Sequence, residues 1–152
     1  MKIILIAITF IFLFSSCTSS DKTDIFKLHV YNGDIGNVFN LRSGTVKCMH
    51  CPSYFRFEAV PEIVNYIKAF HKLKEIDHYP EIVNQINNLI NDEVNWWGLT
   101  KQSSNLKIFW VNYISKHNNS EPEFRVLIIK GKFVYFITTK NFNLENYEAS
   151  QV

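Results

Sequence analysis

Short stretches of the chain alternate between apolar and polar residues, and the apolar spacing changes to that of helices in the middle. Residues 25–31 place Phe26, Leu28 and Val30 on one side, and strict alternation of this kind predicts a half-buried strand. Residues 54–59 repeat the pattern, with Phe55 and Phe57 on the predicted inner side. Shorter strands are predicted at 38–41 and 45–48, with turns at Asn32-Gly33 and Ser43-Gly44.

Two amphipathic helices are predicted next, each opened by a proline. Proline suits the first position of a helix because its missing N–H has no intrahelical partner there. Gly98 is the predicted end of the second helix. The apolar stripes are Ile63, Ile67, Phe70 and Leu73 in the first helix, and Ile82, Ile86, Leu89, Ile90 and Val94 in the second.

The last third of the chain predicts three strands, at 106–114, 124–129 and 132–138, with a tight hairpin at Lys130-Gly131. Consecutive strands joined by short turns form an antiparallel meander. The fold class predicted is therefore α+β, with two amphipathic helices packed on an antiparallel sheet in two layers. The domain is expected to span residues 25–147, with 148–152 as a tail.

The N-terminus has the pattern of a leader. Met1 and Lys2 precede an apolar run at residues 3–14, which is shorter than the roughly 20 residues of a spanning helix. A short apolar core that ends in small residues is typical of a secretory signal peptide. We expect residues 1–16 to be the signal peptide and residues 17–24 to be a polar tether.

The run Phe14-Ser15-Ser16-Cys17 resembles the lipobox of bacterial lipoproteins. That class prefers leucine three places before the cysteine, where this chain has Phe14, with Leu13 one place earlier. The resemblance implies that Cys17 becomes the lipidated first residue, and Thr18 in place of aspartate favours the outer membrane. A plain cleaved signal peptide and an uncleaved anchor stay open as alternatives. More widely, the chain resembles small lipoproteins of Gram-negative bacteria.

Cys48-Met49-His50-Cys51 is the run most suggestive of chemistry. A structural disulfide between Cys48 and Cys51 is one interpretation, since oxidising compartments favour it. The run also resembles the active-site tetrapeptide of periplasmic thiol oxidases, which implies a reactive thiol. In a third interpretation Cys48, His50 and Cys51 bind a metal, as in the copper chaperones that the run also resembles. The candidates for a fourth ligand are His29, His71 and His78.

Trp96 and Trp97 stand where the second predicted helix ends. Tryptophan is enriched at interfaces, so this pair is a candidate surface for a protein partner or a ligand. The alternative is a helix end packed onto the sheet with the indole N–H groups paired. Adjacent residues cannot both face the centre of the core. Trp110 and Tyr113 are candidates to join an aromatic cluster with the pair.

Composition narrows the function classes. The 16 basic and 14 acidic residues give a formal charge of +2, without the basic excess that marks nucleic-acid binders. The sequence has no His-Glu-x-x-His motif, no phosphate-binding glycine loop and no Gly-x-Ser-x-Gly elbow. These observations favour a lipoprotein without a cofactor that has a binding or structural role, as an envelope accessory or an immunity-type protein. Its partners would be the membrane, through the lipid, and an envelope protein. A thiol redox or metal-binding role is the alternative, and a glycan enzyme with a carboxylate pair in a cleft stays open.

Overall fold

The computed structural model describes residues 22–45, 53–76, 80–90, 94–100, 103–113 and 123–140. It contains α-helices and strands that follow one another along the chain. In chain order these are α1 Lys22–His29, a 3₁₀ turn Ile35–Asn37, β1 Val38–Thr45, β2 Ser53–Ala59, α2 Pro61–Phe70, β3 Lys74–Ile76, α3 Pro80–Ile90, β4 Lys107–Tyr113, β5 Glu123–Lys130 and β6 Phe133–Thr139.

The strands form one six-stranded sheet in the order β1-β2-β6-β5-β4-β3. Every neighbouring pair is antiparallel. The predicted α+β class and the meander of β4, β5 and β6 are therefore confirmed. The eight-residue strand β1 and the three-residue strand β3 form the two edges of the sheet.

Helices cover both faces of the sheet, so the predicted two-layer arrangement is wrong. Helices α1 and α2 pack on one face, the α1–α2 face, and α3 packs on the opposite one, the α3 face. The reason lies in the strands, because β5 and β6 carry apolar side chains at successive positions and both of their faces need cover. Buried side chains on the α1–α2 face include Phe26, Phe55, Phe57, Ile67, Leu127 and Phe136. Those on the α3 face include Tyr54, Ile82, Ile86, Ile108, Ile128 and Ile137.

The strand predicted at residues 25–31 is wrong, because Lys22–His29 is a helix. Phe26 and Val30 are buried, and a separation of four residues is the spacing of one helical face. Leu28, which a strand would have placed beside them, is 79% exposed. The helix also includes Lys22, Thr23 and Asp24, so the first element begins inside the segment predicted to be a tether.

Both central helices are confirmed, and both begin at the predicted prolines. Helix α2 spans Pro61–Phe70. The turn after it contains Lys72, which has a left-handed backbone with φ of 56° although it is not glycine. The Leu73 amide donates to the Lys68 carbonyl at 2.9 Å, and the Lys72 amide to the Ala69 carbonyl at 3.1 Å. These two bonds are those of a Schellman C-cap. Helix α3 is described as far as Ile90.

Gly98 does not end α3, which was its predicted role. Residues 94–100 are non-helical, and Gly98 lies in this loop with φ of 75°. Gly131 is in the predicted hairpin position, where its φ of 57° belongs to the turn between β5 and β6. The turn predicted at Ser43-Gly44 is wrong, because β1 continues through both residues in register with β2. The short strand β3 and a bulge in β1 between Phe39 and Arg42 were not predicted.

Residues 46–52 connect β1 to β2. Thr45 and Ser53 are partners in the register of the two strands, so the connection leaves and re-enters the sheet at one place. Cys48, His50 and Cys51 lie in this connection, outside the described residues. The leader, Cys17 and the predicted tail also lie outside them.

Candidate functional site

A groove of about 440 Å³ lies beside α2 on the α1–α2 face of the sheet. Its volume is within the range of about 300–1,000 Å³ that is usual for small-molecule sites. The floor is apolar and is formed by side chains of α2 and of four strands: Ala59, Val64, Phe109, Ile129 and Val134. The rim carries an aromatic ring and five charged side chains: Phe39, Glu58, Lys68, Glu75, Lys107 and Lys132.

The sheet register explains why these residues meet. Lys107, Ile129, Val134 and Phe57 form one row across β4, β5, β6 and β2. Every second residue of a strand points to the same face, so Phe109 is on the same face as Lys107. Helices α1 and α2 cover Phe57, and the other end of the row opens into the groove.

Lysine side chains define one end of the rim. The ammonium nitrogen of Lys68 lies 4.6 Å from the centroid of the Phe109 ring, within the range of a cation–π contact. Lys68 thus reaches from α2 to the part of β4 that lines the groove. Lys107 is exposed, and the described residues provide no ion pair to either lysine.

Glu58 and Lys132 form an ion pair at the opposite part of the rim, with 3.1 Å between Oε1 and Nζ. The Asn40 side-chain amide donates to the same Glu58 oxygen at 2.8 Å. These contacts lower the pKa of Glu58 below its ordinary value, and the hydrogen bond from Asn40 has the largest effect. Asn40 lies in the β1 bulge with φ of 53°, and the bulged edge strand is where the half-exposed Phe39 joins the rim.

The predicted partner surface, Trp96 and Trp97, lies on the α3 face and is largely part of the core. Trp97 is 4% exposed and packs edge-to-face on Tyr135 and Tyr54. Trp96 is half-buried, and its carbonyl accepts a hydrogen bond from Arg56 Nη1. As predicted for adjacent residues, only one of the two rings, that of Trp97, is fully in the core. The Trp97 indole nitrogen has no hydrogen-bond partner within the described residues.

Residues 94–100 form the tryptophan loop. Arg56 and Lys130 hold this loop against the sheet. The Arg56 guanidinium lies 5.7 Å from the Trp96 ring centroid and 5.1 Å from that of Phe133. Lys130 donates to the Gly98 carbonyl and to Ser103 Oγ, both at 3.1 Å. The loop is thereby packed against the α3 face, and the indoles contribute to the core. Trp110, predicted to join this cluster, is half-buried against the same core and stacks on Phe124.

His71, a candidate metal ligand, is a buried structural residue. Its Nε2 lies 2.9 Å from the Val30 carbonyl, so that nitrogen carries the proton and donates. Its Nδ1 then accepts from Arg125 Nη1 at 2.8 Å, and Arg125 also pairs with Glu123. Burial, together with the Arg125 charge, lowers the pKa of His71 below its ordinary value. Both ring nitrogens are engaged, which leaves neither available for a metal.

The other predicted ligands are not brought together by any described element. His29 lies exposed at the end of α1, whereas His78, like Cys48, His50 and Cys51, lies outside the described residues. Within the part of the chain that the structure describes, no group of three His, Cys, Asp or Glu side chains is close enough to hold a metal ion.

Sequence reasoning missed the groove, because its residues come from seven separate elements, α2 and all six strands. In the sequence, nothing distinguishes Lys68 and Lys107 from ordinary exposed positions of a helix and a strand. One signal was present: residues 108–111 and 127–129 are apolar on both faces of their strands, and only two helices were predicted to cover them.

None of the helices in the described residues is both long and apolar enough to cross a membrane. Comparison of the chain with protein-family models, with curated proteins and with solved structures found no match.

Proposed function

We propose that this protein is a lipoprotein anchored at the bacterial envelope, in the outer membrane, through Cys17, and that its domain binds a ligand in the groove without catalysis. The observation that supports the binding role is the groove. It combines an apolar floor with a small number of polar groups, which is the usual composition of a binding site. Its charged groups are dispersed along the rim, and the single close pair is the ion pair of Glu58 with Lys132.

The anchor follows from the resemblance of residues 14–17 to a lipobox. A single acyl chain gives only marginal membrane binding, whereas two or more chains hold stably. Lys22, the first residue of α1, is five residues after Cys17, a distance of roughly 17 Å at full extension. A lipid on Cys17 would thus keep the domain and its groove close to the bilayer surface.

The test has two arms that use the native full-length chain. Intact mass measurement of protein from envelopes is expected to show loss of residues 1–16 and acylation of Cys17. A photo-crosslinking amino acid at Lys107, on the groove rim, is expected to form an adduct when native envelopes are irradiated. The matched control places the same amino acid at Lys72, which is exposed at the end of α2 and does not line the groove.

Each arm has an outcome that overturns its part of the proposal. An unmodified Cys17, or a retained leader, removes the anchored lipoprotein. Equal adducts at positions 107 and 72, or none at 107, remove the groove as the binding site.

A second candidate function uses Cys48 and Cys51. The observation that favours it is that Thr45 and Ser53 pair in the sheet, so both cysteines lie in one seven-residue connection whose ends are fixed. The thiol oxidases that the motif resembles continue from it into a helix, whereas here β2 follows at Ser53. The location therefore fits a hairpin-closing disulfide or a two-cysteine metal loop better than a thioredoxin-like active site.

The reduction potential of the pair discriminates between these roles. A potential below about −300 mV indicates a structural disulfide, and a value of roughly −120 to −200 mV indicates a redox-active pair. Metal content of protein purified without chelators tests the metal-binding version. Cys48→Ser with Cys51→Ser is the control that must abolish either signal.

A further inference from the structure

We infer that the ligand of the groove is a single-chain amphiphile with one carboxylate, of the fatty-acid class. This inference rests on the proposed function and specifies its ligand. Three observations lead to it: the apolar floor, the pairing of the strands beneath it, and the charges at the Phe109 end of the rim.

The floor is suited to a hydrocarbon chain. The side chains that line it, Val64, Phe109, Ile129 and Val134, are all apolar, and Ile129 is the most exposed of them. Transfer of apolar ligand surface from water to such a floor is favourable in proportion to the area buried. A polar ligand would lose hydration there without gaining hydrogen bonds.

The strand pairing argues against a peptide as the occupant. Phe109, Ile129 and Val134 lie on β4, β5 and β6, and each of these residues has a partner on both neighbouring strands. Their backbone groups are used within the sheet, so the floor has no free strand edge, and the edge strands β1 and β3 line only the rim, through Phe39 and Glu75. Peptides that bind by strand addition need such an edge for their main-chain hydrogen bonds.

The charges favour an anion at one end of the groove. Lys68 lies over the Phe109 ring, and Lys107 is two residues from Phe109 on the same face. Lys132 is already paired with Glu58, which leaves Lys68, Lys107 and Glu75 as the rim charges without an ion pair among the described residues. Their sum of +1 matches a monoanion, and Lys68 and Lys107 both line the groove, where their ammonium groups can pair with a carboxylate.

The test measures binding of sodium decanoate to the full-length chain in phosphatidylcholine nanodiscs by titration calorimetry, with empty nanodiscs subtracted. We expect saturable binding of one decanoate per chain. Decyltrimethylammonium, which has the same tail and the opposite charge, is expected to bind at least tenfold more weakly. Acetate, which has the head without the tail, is expected to show no saturable binding.

A pair of double variants tests the assigned residues. Lys68→Gln with Lys107→Gln is expected to weaken decanoate binding about five- to tenfold, since each exposed ion pair contributes up to about 1 kcal/mol. Lys72→Gln with Lys74→Gln removes the same charge outside the groove, and its affinity is expected to stay within twofold of the wild type. Equal urea midpoints of the two variants establish that both are folded.

Three outcomes overturn the inference: no saturable decanoate binding, equal affinity for the anionic and cationic amphiphiles, or equal weakening by the two double variants. A polypeptide adduct at position 107 in the crosslinking experiment also overturns it, while the proposed binding function stands. Failure of the position 107 adduct together with failure of decanoate binding removes both.

Discussion

The two faces of the sheet are built from the same strands but are covered differently. On the α3 face, helix α3 and the tryptophan loop leave Ile82, Ile86, Ile108 and Ile128 fully buried. On the α1–α2 face, two helices cover the strands on the β2 side, and the groove remains over β4 and β5. There the Lys68 ammonium group, carried by α2, lies over the Phe109 ring.

This difference shows how an apolar surface becomes a candidate binding site. Both faces are apolar, so apolar character alone does not mark a function. A site arises where the sheet is wider than the helices that cover it. The charged rim then allows that surface to stay in contact with water, because flexible lysine stems shield it while their ammonium groups remain hydrated.

The largest effect is expected from a matched pair of substitutions in β5, Ile128→Ala and Ile129→Ala. These neighbours point to opposite faces, the first fully buried on the α3 face and the second half-buried in the groove. Ile128→Ala is expected to lower the free energy of unfolding by about 2–5 kcal/mol through lost burial and a cavity. Ile129→Ala is expected to cost about 1 kcal/mol, because the groove already exposes part of that side chain.

Urea unfolding monitored by far-UV circular dichroism measures both values. Neither substitution should change the dependence of the free energy of unfolding on urea concentration. An unchanged slope would mean that the two variants differ in the stability of the native state. Equal losses for the two variants would contradict the distinction between a fully covered face and an open one.

A smaller effect is expected when the tryptophan loop is released from the sheet. Arg56→Met keeps an apolar stem and removes the hydrogen bond to the Trp96 carbonyl and the contacts with the Trp96 and Phe133 rings. A loss of about 1–3 kcal/mol is expected, with a red shift of tryptophan emission. Arg42→Met is the control, since Arg42 is exposed opposite Arg56 in the register; its cost should stay within about 0.5 kcal/mol. An unchanged emission spectrum in Arg56→Met would show that other contacts hold the loop.

The smallest effect is a pH dependence located on the α1–α2 face. The pKa of His71 is lowered from 6.5 by burial. As the pH falls, His71 is therefore protonated in the unfolded chain before it is protonated in the native state. The stabilisation is therefore complete above pH 6.5 and is lost as the pH falls from 6.5 towards the lowered native pKa. His71→Gln, whose amide can donate to Val30 and accept from Arg125, should flatten that part of the profile.

Urea midpoints measured between pH 8 and pH 5 test this expectation. His29→Gln is the control, because His29 is exposed at the end of α1, and its profile should follow that of the wild type. A His71→Gln profile parallel to the wild type would assign the acid sensitivity to other groups.

The parts of the fold that were predicted correctly are those whose apolar spacing has one explanation. Helices α2 and α3 have proline starts and long apolar stripes, and β2 and β4–β6 have dense apolar runs with a glycine at one hairpin. Residues 25–31 were misassigned because Phe26 and Val30 fit both a strand and a helix, and only the exposure of Leu28 decides between them. Strand β3 was missed because three residues carry too little pattern, and pairing with β4 defines it.

By itself, the sequence determined the α+β class, the two central helices, the C-terminal meander and the expectation of a lipid on Cys17, since these depend on local spacing and short motifs. The tertiary structure decided which face each helix covers, that Trp97 and His71 are core residues, and where the groove lies. The physical reason is that burial and charge pairing depend on residues far apart in the chain. Lys68, Phe109 and Ile129 become one surface only when the sheet register and the position of α2 bring them together.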